Sequence, residues 1–346
     1  MIGTTITQFL IEEQRRFPSA TGDLTAVIND IVTACKAIAS AMRYGALSDN
    51  DVLGVSSSEN GQGEIQKTLD IIANELFLRR TEFGGHVAAM VSEEMDSIYQ
   101  LPDHYPKGRY LLVYDPVDGS SNLTENASFG TIFSILRRPQ AATGQPALAE
   151  FLQAGSAQVC AGYAIYGPSS MIVITTGKGV NGFTLDPLVG EFILTHPGMT
   201  IPKSSNRFFI NPVMNRHWDA PVRQFISDCM AGRDGALGRD FDMRWSAAAV
   251  ADVHRVMISG GLYLNPAHAG LREQGLAGKL RLLYEVNPLA FLVEQAGGLA
   301  TTGECRALEV QPQTLHQRCA VFMGSRTEVE TLVSHYLSQP EGLASS

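Results

Sequence analysis

The sequence predicts an α/β fold built in layers, because helical periodicities and short strand-like apolar runs alternate along its length. Leu24, Val27, Ile28, Ile31, Val32, Cys35, Ile38 and Met42 recur at helical spacing. Residues 24–42 should therefore form a long amphipathic helix, with Thr21 and Asp23 as candidate N-caps. A second helical pattern covers 65–78 and puts Asp70 mid-helix among apolar neighbours. Val87–Val91 and Tyr110–Tyr114 are apolar runs of strand length, and carboxylates follow both. Between 159 and 194, β-rich runs punctuated by Gly and Pro read as consecutive antiparallel strands. A Pro-bearing stretch near His196–Pro202 is the expected boundary between domains 1–200 and 201–346. Beyond it, helical patterns near 222–230 and 247–257 alternate with the strand-like LRLLYE and AVFMG. Asn287 and Pro288 read as N-cap and first helical position, with Gly297 closing that helix. Pro139–Pro146 reads as a loop, and the tail after Ser338 as a frayed end.

Composition narrows the function. The 346 residues carry 26 Lys+Arg against 35 Asp+Glu, a net charge of −9, with 45% hydrophobic and 18% charged residues. Such a chain folds around a substantial core. Without a basic run it is a poor general binder of nucleic acid or anionic membrane, so an anionic substrate needs a local device. Five widely spaced cysteines with no C-x-x-C (Cys35, Cys160, Cys229, Cys305, Cys319) read as reduced thiols. No apolar run is expected to span a membrane, the N-terminus fits no secretory signal, and a cytoplasmic location is expected. Sequons at Asn122 and Asn126 fall inside the expected active loop, where glycans would block it.

That loop lies in RYLLVYDPVDGSSN. Asp115 stands where the strand ends, Pro116 stops ladder pairing, and Asp118 follows from the same strand end. Two anions this close repel unless a cation separates them, and hard oxygen ligands suit Mg²⁺ or Mn²⁺. Gly119, Ser120 and Ser121 then offer a tight turn with backbone N–H groups and hydroxyls, suited to a phosphate. An Asp-rich turn capping a strand is the bland alternative for D-x-x-D alone. Glu93 and Glu94 in VSEEMD form a second acidic pair at a strand end, and two such pairs suggest a two-metal site. Glu285, in LRLLYEVNP, is otherwise an ordinary acid at a helix start. Asp70 is either a half-buried structural carboxylate or a catalytic one with a shifted pKa. Gly177, Gly179 and Gly182 spell G-x-G-x-x-G, but the strand-like GFTLDP follows, so a hairpin turn is expected in place of a dinucleotide loop. His254 reads as a core or capping histidine.

DPVDGSSN, VSEEMD and KLRLLYEVNPLAFLVEQAGG together resemble class I fructose-1,6-bisphosphatases, a branch of the lithium-sensitive, metal-dependent sugar phosphatase superfamily. GTIF (130–133), AGYAIYG (161–167), VADVHR and LHQR (315–318) extend the resemblance over almost the whole chain. It implies an αβαβα sandwich, a homotetramer, and Mg²⁺ (or Mn²⁺) at two or more ions per subunit. It implies that Glu93, Asp115, Asp118, Glu285 and the carbonyl of Val117 are metal ligands, with Glu64 helping to hold a third ion. Asp70 and Glu94 match the acidic pair that prepares the attacking water. Asp118, Gly119, Ser120 and Ser121 would contact the 1-phosphate and its sugar, while Asn211, Arg244 and Lys279 would grip the far phosphate or sugar, the arginine reaching across from a neighbouring subunit. The implied activity is hydrolysis of the 1-phosphate of D-fructose 1,6-bisphosphate, in gluconeogenesis or a carbon-fixation cycle. Where the family usually has tyrosines around the distal phosphate, this chain has Met214, Trp245 and Asn265, which leaves sedoheptulose 1,7-bisphosphate as an alternative substrate. The different-class alternative is a catalytically silent metabolite-binding protein. Thr21, Gly22, Asp23, Leu24 and Thr25 at a helix start, with Arg109, Tyr110 and Arg137, match an AMP-inhibition site.

Overall fold

The computed structural model describes residues 3–16, 20–44, 55–59, 65–141 and 144–338. Glu64 and the tail after Ser338 lie outside the described residues. An eight-stranded sheet runs in the order Glu191–Met199, Val180–Asp186, Met171–Thr175, Cys160–Tyr166, Phe129–Arg137, Tyr110–Asp118, Val87–Ser92 and Tyr99–Gln100. Its neighbours pair antiparallel except Val87–Ser92 with Tyr110–Asp118, which run parallel. A five-stranded sheet follows, ordered Asp242–Arg244, Arg207–Phe209, Leu262–Asn265, Val321–Gly324 and Leu299–Thr301.

The cores show why these elements stack as five layers. Helices Ile6–Gln14, Asp23–Tyr44 and Thr68–Thr81 cover one face of the large sheet, with Ile31, Val32, Phe77, Leu112 and Tyr114 in a single cluster. Each buried Val or Ile there contributes about 2 kcal/mol, and Phe77 stacks on Tyr114 at 4.6 Å. Between the sheets lie Ala249–Ser259 and Asn287–Gln295, which pack Val250, Leu289 and Leu292 against Tyr163 and Val173 on one side and Val321 and Met323 on the other. Helices Ala220–Met230 and Arg326–Leu337 close the outer face of the second sheet. The order is α/β/α/β/α, as expected. Strand alternation follows: Tyr110, Leu112 and Tyr114 face the first helical layer, while Leu111 and Val113 face Tyr284 and Phe151.

Several elements differ from expectation. The second helix begins at Thr68, because Ile65–Lys67 pairs as a strand with Val55–Glu59, so Asp70 sits in the first helical turn. Asp23 is the first residue of its helix, not its cap. That helix is, over Asp23–Arg43, long and apolar enough to cross a membrane by length and composition, contrary to expectation; its apolar face is instead covered by the sheet. The hairpin reading of Gly177 and Gly179 holds: both have positive φ and join Met171–Thr175 to antiparallel Val180–Asp186. All five cysteines are free thiols.

Candidate active site

The carboxylates reach one place because two parallel strands end together. Val87–Ser92 and Tyr110–Asp118 run side by side in the same direction, so Glu93 and Glu94 emerge next to Asp115. The second strand does not stop at Pro116 as expected. It bulges between Asp115 and Asp118 and pairs again at Asp118 with Gly130. The missing proline donor does no harm, since the Pro116 carbonyl still accepts from Thr131 Oγ1 at 2.7 Å and the Val117 N–H donates to Asp115 Oδ1 at 2.9 Å. Asp118 Oδ2 accepts the Val250 N–H at 2.6 Å, in the first turn of Ala249–Ser259, where the helix dipole favours an anion. Glu285 arrives differently from prediction. LRLLYE is a strand only at Leu280–Arg281; Leu282–Val286 is a π-helical turn that runs straight into Asn287–Gln295, so Asn287 is a helical residue and not a cap.

Oxygens of Asp115, Asp118 and Glu285 lie within 4.8 Å of one another, all buried. Glu93 stands beside this trio, hydrogen-bonded to Asp115, and meets Arg281 Nη1 at 2.5 Å. Arg281 also lies 3.9 Å from Glu285, whose Oε2 accepts the Arg281 N–H at 2.6 Å. Burial first, and mutual repulsion second, push Glu93 up to about 8 and raise Asp115 well above the ordinary carboxylate range. Burial likewise carries Asp118 to about 7 against the pull of the Val250 bond, and Glu285 to about 7 against the Arg281 guanidinium. This is the electrostatic state of a cluster built around more positive charge than one arginine supplies.

Beside the acids, Gly119 turns the chain at φ +83 into the 3₁₀ turn Ser120–Asn122, whose first N–H groups have no acceptor within it. A Cβ at Gly119 would lie 2.4 Å from the Ala248 Cβ, so only glycine lets the loop 245–248 approach. Asn122 is buried and ties the two together, its Nδ2 donating to the carbonyls of Ser128 and Ser246 at 2.8 Å. The Ser246 N–H in turn donates to both oxygens of buried Asp252 at 3.1 Å.

A cavity of about 440 Å³ joins these parts. Asp70, Glu93, Glu94, Asp115, Val117, Asp118, Gly119, Ser120, Ser121, Asn211, Lys279 and Glu285 all line it. Arg244 does not. It is exposed and paired with Asp242 at 2.9 Å on an edge strand of the second sheet. Arg281, Arg318, Asp252, Trp218 and His268 also line the cavity and were not singled out from sequence. A charged residue inside the apolar LRLLYE was a signal for Arg281, and Asp252 and Arg318 lie within the VADVHR and LHQR motifs; Trp218 and His268 carried none.

Sequence models of the fructose-1,6-bisphosphatase N-terminal and C-terminal domains match residues 4–197 and 201–337. The chain belongs to the class 1 fructose-1,6-bisphosphatase family. It is 52% identical over 337 residues to a class 1 fructose-1,6-bisphosphatase of Hydrogenophilus thermoluteolus, covering 97% of this chain and 92% of the relative. It is 49% identical to one from Methylibium petroleiphilum, covering 97% and 93%. The crystal structure of Leishmania major fructose-1,6-bisphosphatase in holo form superposes with a TM-score of 0.90 at 36% identity, covering 97% of this chain and 99% of that one.

Outside the cavity, the residues expected for an AMP site of this family gather around the start of Asp23–Tyr44. Gly22 has φ +89, the Asp23 carboxylate meets Arg109 Nε at 3.3 Å and His86 Nδ1 at 3.5 Å, and Thr25 Oγ1 donates to Gln14. Arg137 lies over the Tyr110 ring at 5.7 Å, its register partner across the strands. Met214, Trp245 and Asn265 all line the cavity. Asn265 Nδ2 already donates to Tyr263 Oη at 3.1 Å.

Proposed function

We propose that this chain hydrolyses the 1-phosphate of D-fructose 1,6-bisphosphate to fructose 6-phosphate and phosphate. The observation that carries the reading is the meeting of four buried carboxylates with the Gly119–Ser121 turn in one cavity. The donor set is all hard oxygen, and burial makes its anions costly without a counter-charge, so it fits Mg²⁺, or Mn²⁺, with two or more ions per subunit. Glu93, Asp115, Asp118, Glu285 and the Val117 carbonyl would hold them. Divalent ions there supply charge neutralisation for the phosphoryl oxygens and the departing sugar alkoxide.

The chain's own groups do the rest. Asp70 and Glu94 accept the proton of the attacking water, and the amides of Gly119–Ser121 hold the phosphoryl oxygens as charge builds on them. Lys279 and Asn211 take the sugar and the second phosphate. Arg244, turned away from its own cavity, completes a neighbour's in a homotetramer. AMP acts at the cluster around Asp23, Arg109 and Arg137, and the protein works in the cytoplasm. A preference for sedoheptulose 1,7-bisphosphate is the second reading, favoured by Met214, Trp245 and Asn265 on the cavity wall. Phosphate release from both sugars, with and without Mg²⁺, tests the proposal: Mg²⁺-dependent release from the fructose ester supports it, a higher kcat/KM for the heptulose favours the second reading, and no release from either leaves a silent binder.

A further inference from the structure

The carboxylates reach the cavity on two separate supports. Glu93 and Glu94 follow the first-sheet strand Val87–Ser92, with the Glu93 N–H donating to the Tyr114 carbonyl at 3.1 Å and the Glu94 N–H to Ser92 Oγ at 3.2 Å. Glu285 rides on the π-helical turn Leu282–Val286. Arg281 spans the two on the cavity side, 2.5 Å from Glu93 and 3.9 Å from Glu285. Carboxylates that share a cation must keep their spacing whether or not it is bound, which calls for a brace behind them.

Tyr284 and His316 form that brace, and neither lines the cavity. Tyr284, fully buried beside Glu285, packs with Ala89, Val91, Leu111 and Val113 of the two strands that carry the other acids. Its hydroxyl meets His316 Nδ1 at 2.5 Å. Half-buried His316 belongs to a loop tied to the π-helical turn, since the Gln317 carbonyl accepts the Leu282 N–H at 2.7 Å and Arg318 Nη1 donates to the Lys279 carbonyl at 3.1 Å. From there the imidazole reaches the segment just after Glu94. Burial lowers the His316 pKa and prevails, while hydrogen bonding to the backbone at Asp96 and Met95 raises it. Such bonding raises a histidine pKa only where carbonyls accept, so the single N–H of the neutral ring points at that segment. Nδ1 is then the acceptor, and the Tyr284 hydroxyl donates to it.

We propose that His316, acting through Tyr284, is a positioning residue that fixes the Glu93–Glu94 segment against Glu285, so that both supports present their oxygens to the same cations. It touches neither substrate nor metal. Its part in turnover rests on the phosphatase reading above; its part in cation binding does not.

The test compares the full chain with its Y284F, H316L and double variants. Mn²⁺ dissociation constants are read from loss of the free-ion electron paramagnetic resonance signal, and kcat and KM for fructose 1,6-bisphosphate are read in saturating Mg²⁺. Y284F, which loses only a hydroxyl, and H316L should each bind Mn²⁺ about tenfold more weakly and turn over about tenfold more slowly, with KM within about twofold of wild type. The double variant should be no worse than the weaker single one, because both substitutions break the same link. A purely structural role would lower the melting temperature in EDTA and leave Mn²⁺ affinity as in the wild type. Wild-type Mn²⁺ affinity in folded Y284F, or losses that multiply in the double variant, would overturn the proposal. Should H316L fail to fold, Y284F decides alone. Mn²⁺ binding is measured without turnover, so a wild-type chain that releases no phosphate from the bisphosphate overturns the parent reading and leaves the test of the brace in force.

Discussion

Asp118→Asn should make the metal-free protein more stable while destroying its activity. The Asp118 carboxyl is raised from its ordinary 3.8 to about 7, chiefly by burial. Between those values the folded chain binds more protons than the unfolded one, so its stability falls as pH rises through that window. At about 1.4 kcal/mol per pH unit, the raised carboxyl costs the fold about 2 kcal/mol at pH 5, where Asp118 must take up a proton on folding, and about 4 kcal/mol at pH 8, where it stays ionised in the buried site. The amide carries no charge and its oxygen can still accept the Val250 N–H, so the substitution removes the cost and keeps the contact. For a chain this long, about 4 kcal/mol corresponds to a Tm rise of about 5 °C. Thermal melts in EDTA at pH 5 and pH 8 should show the larger gain at pH 8. Added Mg²⁺ should reverse the order, stabilising the wild type more than the variant. An equal gain at both pH values, or none at pH 8, would refute the electrostatic account of the cluster.

Glu94→Gln should lower turnover about a hundredfold or more with an unchanged melting curve, read by phosphate release. Arg281→Met removes the guanidinium between Glu93 and Glu285 and should destabilise the chain in EDTA by about 3 kcal/mol, with Mg²⁺ restoring part of the loss in denaturant titrations. Gly130→Ala would place a Cβ 2.1 Å from the Ala164 carbonyl and 3.0 Å from Val250 Cγ1. That substitution should cost about 3 kcal/mol by urea unfolding, and it should also depress turnover, because Val250 anchors Asp118.

What could be read in the sequence was what depends on near neighbours. Asp115, Asp118 and Gly119 sit within one short loop, so ligand pair and phosphate turn are legible together; hydrophobic periods give the alternation of helices and strands, whereas the order of the five layers came from the family resemblance alone. Contacts closed over long separations were not. Asn122 reaches the Ser246 carbonyl across 124 residues, and Val250 meets Asp118 across 132. Ile65–Lys67 read as helix because its apolar period continues into Thr68–Thr81, while pairing with Val55–Glu59 draws it into a strand. Leu282–Val286 read as strand because five buried residues of any conformation give an unbroken apolar run.

That π-helical turn carries a surplus residue relative to an α-helix, and the surplus rotates everything before it. Deleting one residue at Leu282 or Leu283 would let the segment relax into ordinary α-geometry, swinging the side chains on one side of the deletion by about 100° relative to those on the other. Asn287–Gln295 is clamped between the sheets, so the swing would fall on the strand Leu280–Arg281 and its arginine. A single-codon loss in this stretch would thus uncouple the guanidinium from Glu93 while leaving every carboxylate in the gene.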